Sequence, residues 1–334
     1  MKATINDVAK MAGVSKATVS RVLNGSKPVS DDIRDKVMKV VEETNYKPSS
    51  LARSLVSKKT NIFGIIIPDV SNPFFSELVK GVQMTANENG YNILLCNTYD
   101  EFDKEMEYLN ILDDKEVDGI IFLTSKIEEK HKEFFSSYKN PIVTVSRRFE
   151  DMPISSVDID NFSAAYEVMN YLINLNHKKI AMIRGPLYDK STGYDRYKGY
   201  EKALEDSNIK LDENLIVEGK FKVKDGYNAM SKLLTLKELP TAVFCACDEM
   251  AIGAIKCIYE SGFKVPEDIS VVGFDDIPIA SMFIPSVTTV RQPVFDFGEK
   301  AVDILLRQIN SGVHEEENIV LPTKIIIRKS TKRK

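Results

Sequence analysis

The sequence has no tryptophan, and it is poor in the residues that build metal sites and disulfide frameworks. Its four cysteines and three histidines are scattered along 334 residues without the short spacings that a zinc site requires. Isolated thiols are among the most frequently buried side chains. We therefore expect reduced core cysteines, no bound metal and no cofactor.

Long apolar runs are missing as well. No segment offers the roughly 18 apolar residues that cross a membrane, and the first ten residues, MKATINDVAK, are polar where a signal peptide would be apolar. The glycine-rich dinucleotide motif, the phosphate-binding loop, the zinc-protease motif and the serine nucleophile elbow are also missing. The sequence therefore predicts a cytoplasmic protein that is not an enzyme.

Charge is distributed unevenly along the chain. Residues 1–60 carry 12 Lys and Arg against 6 Asp and Glu, whereas the remaining residues carry 33 against 43. A basic piece on an acidic body indicates a polyanionic partner for the first piece and a different partner for the second. Charge alone leaves open a merely solvated basic face.

Three short helical patterns follow one another in the basic region. Thr4 and Asp7 form a capping signal for the first helix, Ser15 can cap a second helix over residues 16–24, and Ser30 can cap a third. Each pattern is too short to form a stable helix alone, so the three are expected to pack together.

The spacing of Ala9, Gly13 and Val19 predicts a helix-turn-helix. Ala9 allows two helix backbones to approach closely, Gly13 suits a left-handed turn, and Val19 fills the contact from the second helix. A plain helical hairpin would share this spacing. The basic charge and the polar residues of the second helix favour DNA binding over that alternative.

In helix-turn-helix docking, the second helix lies in the major groove and its N-terminal residues reach base edges. Lys16, Ala17 and Arg21 are therefore the candidate base readers. Arg21 can bond guanine at two atoms, and Ala17 can contact a thymine methyl group. The other polar groups are expected to contact phosphates or to cap helices. They are Thr4, Ser15, Thr18, Ser20 and Asn24.

The stretch KPSSLARSL, residues 47–55, predicts a fourth, very short helix with a small apolar face. Two copies pairing through Leu51 and Ala52 could enter the minor groove together. Arg53 would then lie near phosphates, and Leu55 would act as a wedge between base pairs, because unstacking is offset by contacts on the bent duplex.

From residue 61 onward, short apolar runs alternate with helical stretches, which predicts parallel sheets covered by helices in two α/β halves. Ligands of such sheets bind beyond the carboxyl ends of the strands. Aromatic rings, carboxylates and a guanidinium at these ends suit a polyhydroxylated ring, although charge pairing within a closed interface is the alternative for any single residue. Asp275 and Asp276 could form a catalytic pair, but adjacent residues at a strand end point in opposite directions.

The segments TINDVAKMAGVSKATVSRVLNG and NYKPSSLARSL resemble the headpiece and hinge of the LacI/GalR family of bacterial transcription regulators, and the similarity continues to about residue 329. It implies a homodimeric repressor of carbohydrate-use genes, which binds operator DNA and responds to a sugar or sugar derivative in a periplasmic-binding-protein-like core. The expected domains are a headpiece (1–47), a hinge helix with linker (48–59) and a core (60–329). Within the core, one subdomain comprises about 60–160 and 292–322, and the other about 161–291 and 323–329.

By position, Phe74, Arg196, Phe221 and Asp275 match effector-contacting residues of this family. The complete set expected at the effector site is Asp69, Ser71, Asn72, Phe74, Phe75, Ser146, Arg148, Asp160, Arg196, Phe221, Cys247, Asp248, Asp275 and Gln292. Two departures from the family pattern stand out. Cys247 replaces a frequent asparagine, and SRRF at 146–149 replaces an acidic residue followed by one arginine, which favours an anionic effector such as a sugar acid or sugar phosphate.

The family also includes catabolite-control regulators that take serine-phosphorylated HPr as corepressor, with arginines at the positions of Asp303 and Lys324. An aspartate at 303 would repel a phosphoserine. We therefore expect direct control by a sugar and keep phosphorylated HPr as the alternative partner. A transport-type sugar-binding protein and a sugar-modifying enzyme are further alternatives, which the basic headpiece and the missing catalytic motifs oppose.

Overall fold

The structure is a computed structural model, which describes residues 3–24, 28–46, 59–149 and 151–334. The hinge residues Leu51, Ala52, Arg53 and Leu55 lie outside the described residues. The chain divides into two compact units, residues 1–60 and 61–334, which are described separately below.

The first unit contains three helices, α1 (Ile5–Ala12), α2 (Lys16–Asn24) and α3 (Asp31–Thr44). The side chain of Thr4 accepts from the backbone of Asp7, and the Asp7 carboxylate accepts from the backbone of Thr4, so the predicted capping box is confirmed. Gly13 ends α1 at φ 65°, which is the left-handed turn that its spacing predicts. A small core of five buried apolar residues joins the helices: Val8, Ala9, Val19, Val37 and Val40.

The two predicted serine caps differ. Ser15 Oγ accepts from Thr18 N at 3.1 Å, which confirms the cap of α2. Ser30 occupies the capping position of α3, but its side chain makes no capping hydrogen bond, so that part of the prediction is wrong. Asp31 and Asp32 lie in the first turn of α3, where carboxylates stabilise the positive end of the helix dipole.

The second unit alternates strands and helices as expected. The strands are β1 (Ile62–Ile67), β2 (Asn92–Asn97), β3 (Gly119–Phe122), β4 (Ile142–Val145), β5 (Ser155–Ile159), β6 (Ile180–Arg184), β7 (Ile216–Glu218), β8 (Ala242–Cys245), β9 (Ser270–Val272), β10 (Thr289–Arg291), β11 (Asn318–Leu321) and β12 (Lys324–Ile326). The helices are α4 (Pro73–Glu88), α5 (Phe102–Asp114), α6 (Glu129–Ser137), α7 (Asn161–Asn174), α8 (Arg196–Asp206), α9 (Val223–Leu233), α10 (Asp248–Glu260), α11 (Pro278–Met282) and α12 (Val294–Ser311).

Two parallel sheets define two lobes. The N-lobe sheet has the order β11-β5-β4-β3-β1-β2, and the C-lobe sheet has the order β7-β6-β8-β9. β10 and β12 form a separate antiparallel pair, so the last strand does not join the C-lobe sheet itself. The chain passes between lobes after β5, between β10 and β11, and again between β11 and β12. These crossings bring the carboxyl ends of both sheets to one cleft.

Helix packing against the sheets relies on close backbone contacts. α4 and α12 approach so closely in the N-lobe that a Cβ at Gly81 would lie 2.2 Å from the carbonyl oxygen of Phe295.

All four cysteines are free and buried, which confirms the sequence expectation. Among the described residues, no helix is long and apolar enough to cross a membrane.

Candidate functional sites

The exposed side of α2 carries the residues expected to read DNA. Lys16, Ala17 and Arg21 are exposed, whereas Val19 between them is fully buried against the neighbouring helices. Thr18 and Ser20 lie at the edge of this face with intermediate exposure. Thr4 and Ser15 are exposed at the two helix starts that they cap. Asn24 ends α2, and its side chain lies outside the described part of the structure.

A cavity of about 270 Å³ lies at the cleft between the lobes of the second unit. Its volume is near the lower end of the roughly 300–1,000 Å³ typical of ligand pockets, which suits a small ligand. The cavity brings together ten of the residues predicted from the sequence. They are Asp69, Asn72, Phe74, Phe75, Ser146, Arg196, Phe221, Cys247, Asp275 and Gln292.

Arg196 is the most constrained charged group of the cavity wall. Its Nε donates to Asn161 Oδ1 at 2.8 Å and its Nη1 donates to the Ala246 carbonyl at 2.6 Å, while the guanidinium lies 3.6 Å from the centre of the Phe274 ring. Nη1 is also 3.8 Å from Asp275 Oδ1. The guanidinium is therefore held in one orientation by groups of the C-lobe.

Asp275 and Asp276 face different surroundings, as the sequence analysis predicts. Gln292 Nε2 donates to Asp275 Oδ1 at 2.7 Å beside the cavity, whereas Arg291 and Arg328 donate to the two oxygens of Asp276 at 2.6 and 2.5 Å. Burial raises the pKa of the Asp275 carboxyl, and the Arg196 guanidinium partly opposes this shift. Only Asp275 is thus available to a bound ligand.

Aromatic rings contribute from both lobes. Phe74 and Phe75 follow the start of α4, with ring centroids 5.3 Å apart and nearly perpendicular planes. Phe221 has φ 60°, an uncommon backbone for a bulky residue, and strain of this kind concentrates at ligand-binding sites. Its ring lies so close to Gly185 that a Cβ there would be 2.3 Å from Phe221 Cζ. Glycine at 185 therefore keeps this ring in the cavity wall.

Two ion pairs join the lobes across the cleft. Lys222 of the C-lobe donates to Asp69 of the N-lobe, and the pKa of the Asp69 carboxyl is lowered by hydrogen bonds from Lys222 and Ser71 against the opposing effect of burial. Arg147 of the N-lobe donates from Nη2 to Asp189 Oδ1 of the C-lobe at 2.9 Å. Asp69, Lys222 and Asp189 all line the cavity.

Three predicted effector residues instead bond to neighbouring groups of the protein. Ser71 donates to Asp69 Oδ1 at 2.6 Å. Asp160 is exposed and caps α7 by accepting from Ser163 N at 2.8 Å. Asp248 is fully buried and accepts from Ile277 N at 2.9 Å. None of the three lines the cavity, because each carboxylate or hydroxyl is turned toward the chain segment that it holds.

Arg148 was expected at the cavity as a source of positive charge, and the structure places it elsewhere. Its side chain is 61% exposed and lies 3.7 Å from Glu316 at the surface. The preceding Ser146 has φ 57°, so the chain turns after β4 and sends the two arginines to opposite sides. Cys247, the other departure, lies at the start of α10, where its Sγ accepts from Met250 N at 3.4 Å.

Several cavity residues are absent from the sequence prediction. They are Pro68, Tyr99, Asp100, Leu123, Thr124, Ser125, Val145, Asp189, Thr192, Lys220 and Lys222. Tyr99 and Asp100 lie two and three residues after β2, and Asp189 lies five residues after β6, so the strand-end rule extended to the whole of each following loop would have included them. Thr192 belongs to a π-helical turn over Lys190–Asp195 that precedes α8, and the sequence pattern gave no sign of that turn.

Comparison with known proteins places this geometry in a family context. Residues 4–49 match the family described as bacterial regulatory proteins, lacI family, and residues 169–331 match the periplasmic binding protein-like domain. Catabolite control protein A of Priestia megaterium is 40% identical, with 99% of this chain and 100% of that protein covered.

Two solved structures are similar to nearly the whole length of this chain. The lac repressor dimer bound to operator and the anti-inducer ONPF has a TM-score of 0.90 at 29% identity, with 99% of this chain and 100% of that chain covered. The complex of the transcriptional regulator CelR with cellobiose has a TM-score of 0.76 at 30% identity, with 98% and 99% covered.

Proposed function

This chain belongs to the LacI family of bacterial regulatory proteins and is a sequence-specific DNA-binding transcription regulator, and on that premise we propose that it represses carbohydrate-use genes under the control of a sugar or sugar derivative. The observation that carries the effector part is the cavity between the lobes, whose wall combines fixed hydrogen-bonding groups with aromatic rings. Such a wall suits the hydroxyl groups and C–H faces of a sugar ring.

For the DNA part, we propose that Lys16, Ala17 and Arg21 reach base edges in the major groove. Their support is the exposed face of α2, which the buried Val19 holds in place. Thr4, Ser15, Thr18, Ser20 and Asn24 are proposed to position the headpiece on phosphates.

We further propose that two copies act together, as in the solved lac repressor dimer on its operator. In that arrangement Leu51 and Ala52 of one protomer pack on those of its partner, Arg53 lies near phosphates, and Leu55 wedges into the minor groove. A Leu55→Ala variant is expected to bind operator without sharp bending at its centre, measured by fluorescence energy transfer between the duplex ends. Unchanged bending would contradict this wedge.

In the cavity, Arg196, Asp275 and Gln292 are proposed to bond ligand hydroxyls while Phe74 and Phe221 cover its apolar faces. A ligand can shift operator affinity only by binding two states of the protein unequally. Because the cavity wall comes from both lobes, a change in their relative orientation alters the ligand contacts. Effector binding and operator binding are therefore proposed to be coupled through the lobe arrangement.

The test uses the full chain and an operator selected from a random duplex library. Operator affinity is measured by fluorescence anisotropy with hexoses, pentoses, disaccharides, uronic acids and sugar phosphates, and at least one compound is expected to change it by about 5–150-fold. Asp275→Asn is expected to lose this response but keep operator binding, whereas Arg21→Ala is expected to weaken operator binding and to keep the same fold-change with the compound. A chain that binds operator and responds to none of these compounds would contradict the effector part.

Phosphorylated HPr is the alternative partner, suggested by the similarity to catabolite control protein A. Asp303 on α12 accepts from Lys300 at 3.3 Å and remains about one-third exposed, so a carboxylate stands at the surface where a phosphoserine would need a cation. Direct control by a sugar is therefore the proposal that we favour. Capture of serine-phosphorylated HPr, but not of unphosphorylated HPr, by the full chain would reverse this preference.

A further inference from the structure

We propose that Asp189 sets the charge selectivity of the effector cavity by neutralising Arg147, so that the cavity takes a neutral sugar and rejects sugar acids and sugar phosphates. This inference rests on the proposed function and names the class of ligand within it. It replaces the expectation of an anionic effector, which depended on the two arginines of SRRF at 146–149.

Arg147 lies directly behind the cavity wall. Its Nη2 donates to the Ser125 carbonyl at 2.6 Å and to Asp189 Oδ1 at 2.9 Å, and both Ser125 and Asp189 line the cavity. The residue is only 6% exposed, and its Nε is buried without a hydrogen-bond partner among the described residues. A buried guanidinium keeps its charge, so it needs a counter-charge close by.

Asp189 is held in the position that supplies this counter-charge. Its Oδ1 also accepts from Thr192 N at 3.1 Å, and its Oδ2 accepts from the Thr192 hydroxyl, so the π-helical turn before α8 fixes both oxygens. Asp189 is 6% exposed, so little solvent screens the pair. Burial raises the pKa of the Asp189 carboxyl, and the Arg147 guanidinium is the largest influence that opposes this shift.

The remaining charges of the cavity wall are also balanced. Lys222 pairs with Asp69, and Arg196 lies 3.8 Å from Asp275. The other charged lining residues are one carboxylate, Asp100, and one ammonium, Lys220. Counting Arg147 directly behind the wall, four cationic side chains face four carboxyl groups, so no cation is left over for an anionic ligand and the site suits an uncharged polyol.

Removing one member of the buried pair leaves the other uncompensated. Asp189→Asn keeps the size of residue 189 and one acceptor oxygen, and its amide nitrogen can donate to the Thr192 hydroxyl, but it leaves the charge of Arg147 facing the cavity. An anionic ligand then supplies the missing negative charge. Arg147→Gln is the reciprocal change, which leaves the Asp189 carboxylate facing a cationic ligand. Arg147→Gln with Asp189→Asn removes both charges and serves as the matched control.

The experiment is calorimetric titration of the full chain at neutral pH with glucose, glucuronate, inorganic phosphate and glucosamine. We expect Asp189→Asn to bind glucuronate or phosphate at least about tenfold more tightly than the unchanged chain and the double variant do. Arg147→Gln is expected to gain glucosamine over glucose by a similar factor. Equal anion binding by the unchanged chain and Asp189→Asn, or a gain that the double variant retains, would overturn the proposal.

If Asp189→Asn does not fold, the binding of glucosamine and glucose by Arg147→Gln tests the proposal instead. If Arg147→Gln shows no gain for glucosamine, the proposal is overturned. These measurements compare charged probes between variants and do not depend on the natural effector. A failure of the proposed function would instead appear as an operator affinity that no sugar compound alters in the unchanged chain.

Discussion

Arg21 on α2 of the first unit is exposed, whereas Arg147 and Arg196 in the second unit are 6% and 3% exposed and are held by several acceptors each. The same side chain therefore serves opposite purposes in the two units. In the first unit we propose that it presents charge to a polyanion outside the protein. In the second unit the arginine charge lies close to a carboxyl group, and the guanidinium is held in a fixed orientation by its hydrogen bonds.

A positive charge that faces water changes the stability of the protein little, whereas a buried positive charge must be paired or it lowers stability strongly. Removing an arginine from the first unit should change binding and leave folding nearly untouched. Removing a buried one beside the cavity should damage folding, because its buried partners lose their bonds.

Arg196→Ala is expected to lower the free energy of unfolding of the core by about 3–5 kcal/mol, because it leaves Asp275 buried without its cation and removes the bonds to Asn161 and Ala246. Arg21→Ala should change the free energy of unfolding by less than about 0.5 kcal/mol, as surface substitutions usually do. Urea denaturation followed by circular dichroism measures both. Equal losses of unfolding free energy in the two variants would contradict the contrast between exposed and buried arginine.

Asp158, near the end of β5, is a second buried charged group in the cleft. We expect its ionised form to lower the free energy of unfolding at neutral pH. Its Oδ1 accepts from Ile159 N at 2.8 Å and its Oδ2 lies 3.5 Å from the Ser191 hydroxyl of the other lobe. Burial raises the pKa of this carboxyl to about 6 from a value near 3.8. The folded state therefore holds the proton more tightly than the unfolded chain does.

The stabilisation from this protonated carboxyl is fully present below about pH 4 and is lost as the pH rises through about 6. Two pKa units correspond to about 3 kcal/mol, and Asp158→Asn, which is neutral throughout, should remove up to that much pH dependence. Unfolding free energies of both proteins at pH 4, 5, 6 and 7 provide the measurement. Parallel profiles would show that Asp158 does not titrate in this window.

Arg21→Ala should lower affinity for the selected operator by about 1–3 kcal/mol and relax specificity at one base pair, because the bonds to that base are lost. Arg34→Ala is the matched control, since Arg34 is an exposed arginine on α3, near Asp31. Anisotropy titrations against the operator and its single-base variants distinguish the two. A uniform loss across all variants would instead make Arg21 a phosphate contact.

The sequence predicted the local parts of both units and missed most contacts between distant segments. Thr4, Asp7 and Gly13 act within a few residues of one another, so spacing alone revealed their bonds. Arg147 and Asp189 are 42 residues apart and belong to different lobes, so no local spacing relates them. Their pairing becomes visible only when the two sheets bring the strand ends together.

The direction of Arg148 was unpredictable for a different reason. Strand periodicity assigns alternate side chains to opposite faces, but it no longer applies once Ser146 adopts a left-handed backbone after β4. Asp160 and Asp248 were expected at the cavity because they follow strands, yet both oxygens of Asp248 are occupied by Ile277 and Thr289. Proximity to a strand end therefore predicts the neighbourhood of a side chain and not its partner.

The smallest effects are expected among the helix caps of the first unit. Thr4 accepts from Asp7 N and donates to the Asp7 carboxylate at 2.7 Å, whereas the Ser30 side chain makes no capping bond. Thr4→Ala should therefore cost about 1 kcal/mol of unfolding free energy, and Ser30→Ala only a few tenths. Thermal unfolding of the full chain, followed at the headpiece by fluorine labels on α1 and α3, resolves the two. A larger loss of unfolding free energy for Ser30→Ala than for Thr4→Ala would contradict this expectation. It would mean that Ser30 stabilises α3 by a contact other than a side-chain capping bond.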